Sequence, residues 1–221
     1  MIQSTFMYSK EESLETLQDI KKMMERSSRF ISLSGWSGIA AGICALAGAW
    51  VAHIKIEQYK TTMVSENTNN DIFNFSQAGL LPELIIIAAL TFFSAFIFAF
   101  IFTYLRSKKT GIPLWGLTAK RLFLNTVIPM LVGGLVILRM MQLGDYELVA
   151  SSCLVFYGLA LLNASKYTFD EIRYLGYAEL ILGLICLWQN GNGLYFWAAG
   201  FGVMHIIYGA VMWWKYERVK S

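Results

Sequence analysis

From residue 30 onward the chain alternates long apolar runs with short polar segments. The runs lie at about 30–53, 82–105, 122–143, 147–165, 172–189 and 193–214. A helix needs roughly 20 mostly apolar residues to cross the hydrocarbon core of a bilayer, and these runs are of that size. The pattern predicts an all-α, polytopic membrane protein with six transmembrane helices. Two regions follow: a cytosolic amphipathic segment at 1–29, and a six-helix transmembrane domain at 30–221 interrupted by an outer loop at about 54–81. No space remains for a separate soluble domain.

Ahead of the first run the pattern changes. Residues 9–27 read as an amphipathic helix, with Ser9 and Glu12 at capping-box spacing. Leu14, Leu17, Ile20, Met23 and Met24 share one face, and Glu11, Glu15, Asp19, Lys22 and Arg26 the other. The polar face carries both signs, unlike a basic lipid-binding helix. It is expected to lie against the bundle or the bilayer surface, or to dock a cytosolic protein partner or a second copy in a homo-oligomer. Residues 1–29 contain no apolar stretch of the signal-peptide kind, so the first run is expected to serve as anchor and targeting signal together.

Composition sharpens the class. Of the 221 residues 56% are hydrophobic and 15% charged, against about 25% charged in a soluble domain. The net charge of +3 is too small, and too locally placed, to suit nucleic acid. Its distribution is more informative. Fifteen of the 18 Lys and Arg fall before the first run, after the second, after the fourth and after the sixth; the exceptions are Lys55, Lys60 and Arg139. Positive charge stays cytoplasmic during insertion, which predicts N- and C-termini in the cytoplasm of a multi-pass protein. Trp50, Trp188 and Trp197 would sit at the outer interface, and Trp213, Trp214 and Tyr216 at the inner one. The bulk of Phe92, Phe93, Phe96, Phe98, Phe100 and Phe102 suits a lipid-facing second helix.

The six runs are expected to form three hairpins. Tyr157-Gly158 precedes Lys166-Tyr167 much as Tyr208-Gly209 precedes Lys215-Tyr216, and Gly42, Gly134 and Gly183 hold similar places in the first, third and fifth runs. Glycines at spacing seven (Gly35 and Gly42, Gly176 and Gly183, Gly202 and Gly209), with Gly158 between Ser151 and Ser165, are candidate helix-packing positions. Small residues let helices approach closely where lipid supplies no hydrophobic drive.

Two ionisable residues lie deep inside runs. Glu179 and His205 each have glycine three residues before and four after, and their depths differ by only about 4–5 Å at 1.5 Å per residue. Charge at the bilayer centre costs about 2.5–3.5 kcal/mol, so such residues usually mark a function. The two are expected to meet, either as a proton-sensitive pair or as a polar clasp locking the last hairpin, with a tyrosine (Tyr157 or Tyr208) as a further partner. Asn125 and Asn163 complete the candidate buried polar set. Thr168 and Glu171 have capping-box spacing at the start of the fifth run.

Other chemistry has no foothold. Cys44, Cys153 and Cys186 lie inside runs without CxxC spacing, and two histidines do not make a metal cage, so no metal or cofactor is expected. No nucleotide, zinc-protease or serine-hydrolase motif occurs, and nothing supports enzyme activity. Residues Met23–Gly35 and Phe156–Thr168, with Asp170-Glu171-Ile172-Arg173-Tyr174-Leu175-Gly176, resemble a family of uncharacterised six-span bacterial inner-membrane proteins. The two-span units are also faintly similar to HdeD-type acid-resistance membrane proteins. These resemblances imply location and topology but no activity. The expected role is non-enzymatic sensing, stress response or partner binding; the alternative is a small proton-linked transporter or channel using Glu179 and His205.

Overall fold

A computed structural model describes residues 33–65, 79–111, 114–189 and 191–218. The amphipathic segment at 9–27 and the middle of the expected outer loop lie outside them. The described residues are helical, with no strand. We label the helices α1 (Gly35–Ser65), α2 (Leu80–Thr110), α3 (Leu117–Leu143), α4 (Val149–Ala164), α5 (Glu171–Cys186) and α6 (Gly193–Tyr216). Short 3-10 turns at Tyr146–Leu148 and Ser165–Tyr167 extend α4 at both ends. Five of these segments are long and apolar enough to cross a membrane; α5, with 16 residues, is the exception.

Two loop boundaries need correction. Residues 54–65, expected in the outer loop, continue α1. They contain neither Gly nor Pro, and Glu57 pairs with Lys60 at 2.7 Å one turn along the helix. The polar loop expected from residue 106 starts later for a similar reason. α2 runs through its own basic last turn, with Lys108 and Lys109 at its negative dipole end, and stops at Gly111, whose φ of 70° is the left-handed conformation glycine supplies.

Packing follows the small residues. α1 lies between α2 and α6, and α4 lies between α3 and α5. Along the α1–α6 crossing, a Cβ on Gly42 would come within 2.6 Å of the Gly202 carbonyl oxygen, and one on Gly209 within 2.5 Å of the Gly35 carbonyl oxygen. The α4–α5 crossing is equally tight: Gly158 and Gly176 face each other's backbone, and Gly183 fits beneath Val155. Gly176 and Gly183 of α5 and Gly202 and Gly209 of α6 therefore seat these helices on different partners, α4 and α1, and do not make a shared α5–α6 seam.

Fully buried side chains are few, led by Leu154, Met212 and Glu179, while large apolar side chains face outward on every helix. On α2 the exposed set includes Phe92, Phe93, Phe96, Phe98 and Phe100. A soluble monomer rarely exposes contiguous apolar surface on this scale.

One end of the bundle gathers the start of α1, the end of α2, the start of α5 and the end of α6. Glu217, just past α6, ties the start of α1 to the end of α2. It accepts from the Gly35 backbone N–H at 2.5 Å and from Ser34 Oγ at 3.1 Å, and it pairs with the Arg106 guanidinium of α2 at 2.5 Å. A carboxylate at a helix N-terminus satisfies orphan donors and the helix dipole together. Beside it, Glu171 accepts from Lys215 Nζ at 2.5 Å and from Tyr216 Oη at 3.1 Å.

Candidate functional site

Where α4, α5 and α6 meet, three polar side chains come together. Glu179 projects from the middle of α5 and is 0% exposed; His205, on α6, is 7% exposed. Glu179 Oε1 lies 3.4 Å from His205 Nδ1. On the far side of the imidazole, Tyr157 Oη of α4 lies 2.8 Å from Nε2. The tyrosine ring also stacks on the imidazole, centroids 5.4 Å apart, with Phe201 closing a third side.

The local backbone is unusual here. Over Ala198–Met204, immediately before His205, α6 widens into a π-helical turn. Such turns are rare and concentrate at functional sites. The Gly200 carbonyl accepts from His205 Nδ1 at 3.1 Å. A side chain on Gly200 would collide with Glu179 Oε2 and with Leu154, so the missing Cβ makes the space the carboxylate occupies.

These contacts constrain the protons. A carbonyl only accepts, so Nδ1 carries hydrogen. With neutral histidine, the Tyr157 hydroxyl donates to Nε2; with imidazolium, Nε2–H donates to the hydroxyl. The 3.4 Å approach to Glu179 is longer than an ordinary hydrogen bond, and neither Glu179 oxygen receives a hydrogen bond from a described residue. An ionised carboxylate left this way is costly; a proton shared with His205 removes the net charge. The cluster is therefore suited to hold one proton between carboxylate and imidazole. Its other titratable neighbours are Tyr157 and, within electrostatic reach of it, Tyr208. Tyrosine hydroxyls ordinarily ionise only near pH 10.

Of the six candidate polar residues, the structure joins Glu179, His205 and Tyr157. Tyr208 lies one helical turn beyond His205, packed with Leu161, Ile172 and Leu175, and its electrostatic neighbours are Glu171, Arg106, Tyr216 and Glu217 at the charged end. Asn125 and Asn163 form a separate link: Asn163 Nδ2 donates to the Asn125 carbonyl at 3.0 Å, and Asn125 Nδ2 donates to the Arg121 carbonyl at 2.8 Å. They belong to the α3–α4 crossing, and Asn163 lies six residues, about 9 Å, along α4 from Tyr157.

Sequence reasoning missed Gly200 and Glu217. Nothing in the run Gly200-Phe201-Gly202 announces a π turn. Glu217 reads as one more charge in a polar tail until α6 brings it to the start of α1. Among the described residues no group of three His, Cys, Asp or Glu side chains is arranged to hold a metal. Comparisons with family models, curated proteins and solved structures found no match.

Proposed function

We propose that this chain is an integral protein of a bacterial inner (plasma) membrane, with six spans arranged as three hairpins and both termini cytoplasmic. Its role is non-enzymatic sensing, stress response or partner binding, and the Glu179–His205–Tyr157 cluster is its proton-holding element. Support for the location comes from the outward-facing apolar side chains and from exposed tryptophans at helix ends, among them Trp188 and Trp214. α5 is the short member. Its 16 residues reach about 24 Å, below the roughly 30 Å hydrocarbon core. In this reading the Leu187–Trp188 turn completes the crossing. Support for the orientation comes from the described basic residues, most of which lie on the side of the Arg106–Glu217 cluster.

The observation that carries the functional reading is the 3.4 Å approach of a fully buried carboxylate to an imidazole whose other nitrogen is held by Tyr157. A buried pair sharing one proton responds to gain or loss of that proton by acquiring net charge in a low-dielectric site. Packing of α6 against α4 and α5 then depends on pH. Proton transport would need water to reach the pair, and both Glu179 oxygens are sealed from solvent.

Proteoliposomes loaded with a pH-sensitive dye separate the two. The sensing account expects an imposed pH gradient to decay as slowly with the protein as without it. Decay that the protein accelerates and Glu179→Gln abolishes would establish transport instead.

A further inference from the structure

α5 and α6 cross without a glycine seam, and a groove is left between them. On α5 it is lined by Glu171, Tyr174 and Ala178, and on α6 by Met204, Ile207 and Val211. The walls are apolar except for the Tyr174 and Tyr208 hydroxyls and Glu171 at one end. From Val211 to Met204 the groove runs about 10 Å along the helix at 1.5 Å per residue, from the charged end to the level of the buried pair.

The charged end of the groove is built differently from its walls. Lys215, one turn beyond Val211, is held on Glu171 yet its side chain stays 59% exposed. An ammonium has three donors, so at least one remains for a ligand. Arg218, a further turn along, lies over the Trp214 ring at 5.5 Å and has no carboxylate partner among the described residues. Tyr174, 70% exposed, stands at the mouth. An apolar slot ending in two cations beside exposed Tyr and Trp matches the layout of one molecule class: an acyl chain carrying a phosphate headgroup.

We infer that this groove is a phospholipid site, with one acyl chain between α5 and α6 and the headgroup phosphate on Lys215 and Arg218. Glu171, at the end of the groove, positions Lys215. The inference rests on the membrane reading above. It goes beyond that reading in distinguishing this groove from the rest of the apolar exterior, which lipid would merely solvate. The lipid tail would end beside Ala178 and Met204, the neighbours in sequence of Glu179 and His205.

The test uses the full chain in vesicles containing a phosphatidylglycerol whose acyl chain carries a photoreactive diazirine. Resistance to alkaline carbonate extraction is measured first, so extraction into the soluble fraction defeats the membrane reading itself. For protein that stays with the membrane, adducts mapped by peptide mass spectrometry are expected to concentrate on residues 171–178 and 204–211. Their yield should be at least five-fold above that of the exposed Phe92–Phe100 face of α2. Lys215→Gln combined with Arg218→Gln should lower that yield several-fold for the phosphate lipid and leave labelling by a diazirine fatty alcohol unchanged. Equal labelling of the two faces in the unaltered protein overturns the proposal, as does a yield indifferent to the double substitution. Chain-to-chain cross-links at Tyr174 in place of lipid adducts would assign the groove to a second copy and overturn it too.

Discussion

Each polar residue in this chain takes its meaning from what surrounds it. Glu171 and Glu179 lie on one helix, yet the first accepts from a lysine and a tyrosine at an exposed edge while the second meets one imidazole in a sealed site. Removing His205 leaves Glu179 and Tyr157 without their common partner. His205→Ala is expected to cost about 1–3 kcal/mol, the usual penalty for stranding a buried polar group. Tyr157→Phe should cost less, about 0.5–1.5 kcal/mol, because only one hydrogen bond is lost. Thermal unfolding in lipid nanodiscs measures both, and no loss in Tyr157→Phe would mean that Tyr157 contributes through packing alone. Glu217→Ala belongs to the same scale. It strips the start of α1 and Arg106 of their carboxylate and is expected to cost about 1.5–3 kcal/mol, partly restored by Glu217→Asp.

At the scale of the element, the crossings decide which glycines matter. A Cβ on Gly158 would lie 2.9 Å from the Gly176 carbonyl oxygen, whereas one on Gly134 meets nothing within 4 Å. Gly158→Ala is therefore expected to destabilise by about 1–3 kcal/mol through overpacking. Gly134→Ala should be neutral or stabilise by up to about 1 kcal/mol through helix propensity. Similar shifts for both in a thermal scan would contradict the packing described here. The positions of the helices were legible in the sequence because apolar length is a strong signal, and Glu179 and His205 stood out because charge inside such a run is rare. Helix partners were not legible. The matching glycine frames around Glu179 and His205 suggested one shared face, but each frame serves a different neighbour, and spacing on one helix does not say which helix receives it. The π turn at Ala198–Met204 was invisible for a related reason: it is a local widening selected by what packs against it.

At the scale of the molecule, the two crossings, α1 on α6 and α4 on α5, leave the Glu179–His205–Tyr157 cluster at their junction, where in the proposed reading a change in its charge would act on both. The proposed threading makes its own prediction. Reporter fusions at residues 111, 168 and 218 should all report cytoplasm, and a fusion at residue 144 the opposite side; any one of the first three on the far side would overturn the three-hairpin topology. The central claim, that Glu179 and His205 together hold one proton in the folded protein, fixes the sign of its pH dependence. Unfolded Glu and His titrate near about 4.3 and 6.5. Between these values folded and unfolded forms bind equal numbers of protons, and stability is flat. Above about 6.5 the unfolded form binds fewer and stability falls as pH rises; below about 4.3 it binds more and stability falls as pH drops. In Glu179→Gln the buried histidine holds no extra proton, so stability should be flat above about 6.5 and fall below it. The most direct measurement is the unfolding midpoint against pH in lipid nanodiscs for these two proteins. The unaltered protein should lose stability from pH 6.5 to 8.5 while Glu179→Gln does not. Parallel profiles across that range would contradict the central claim.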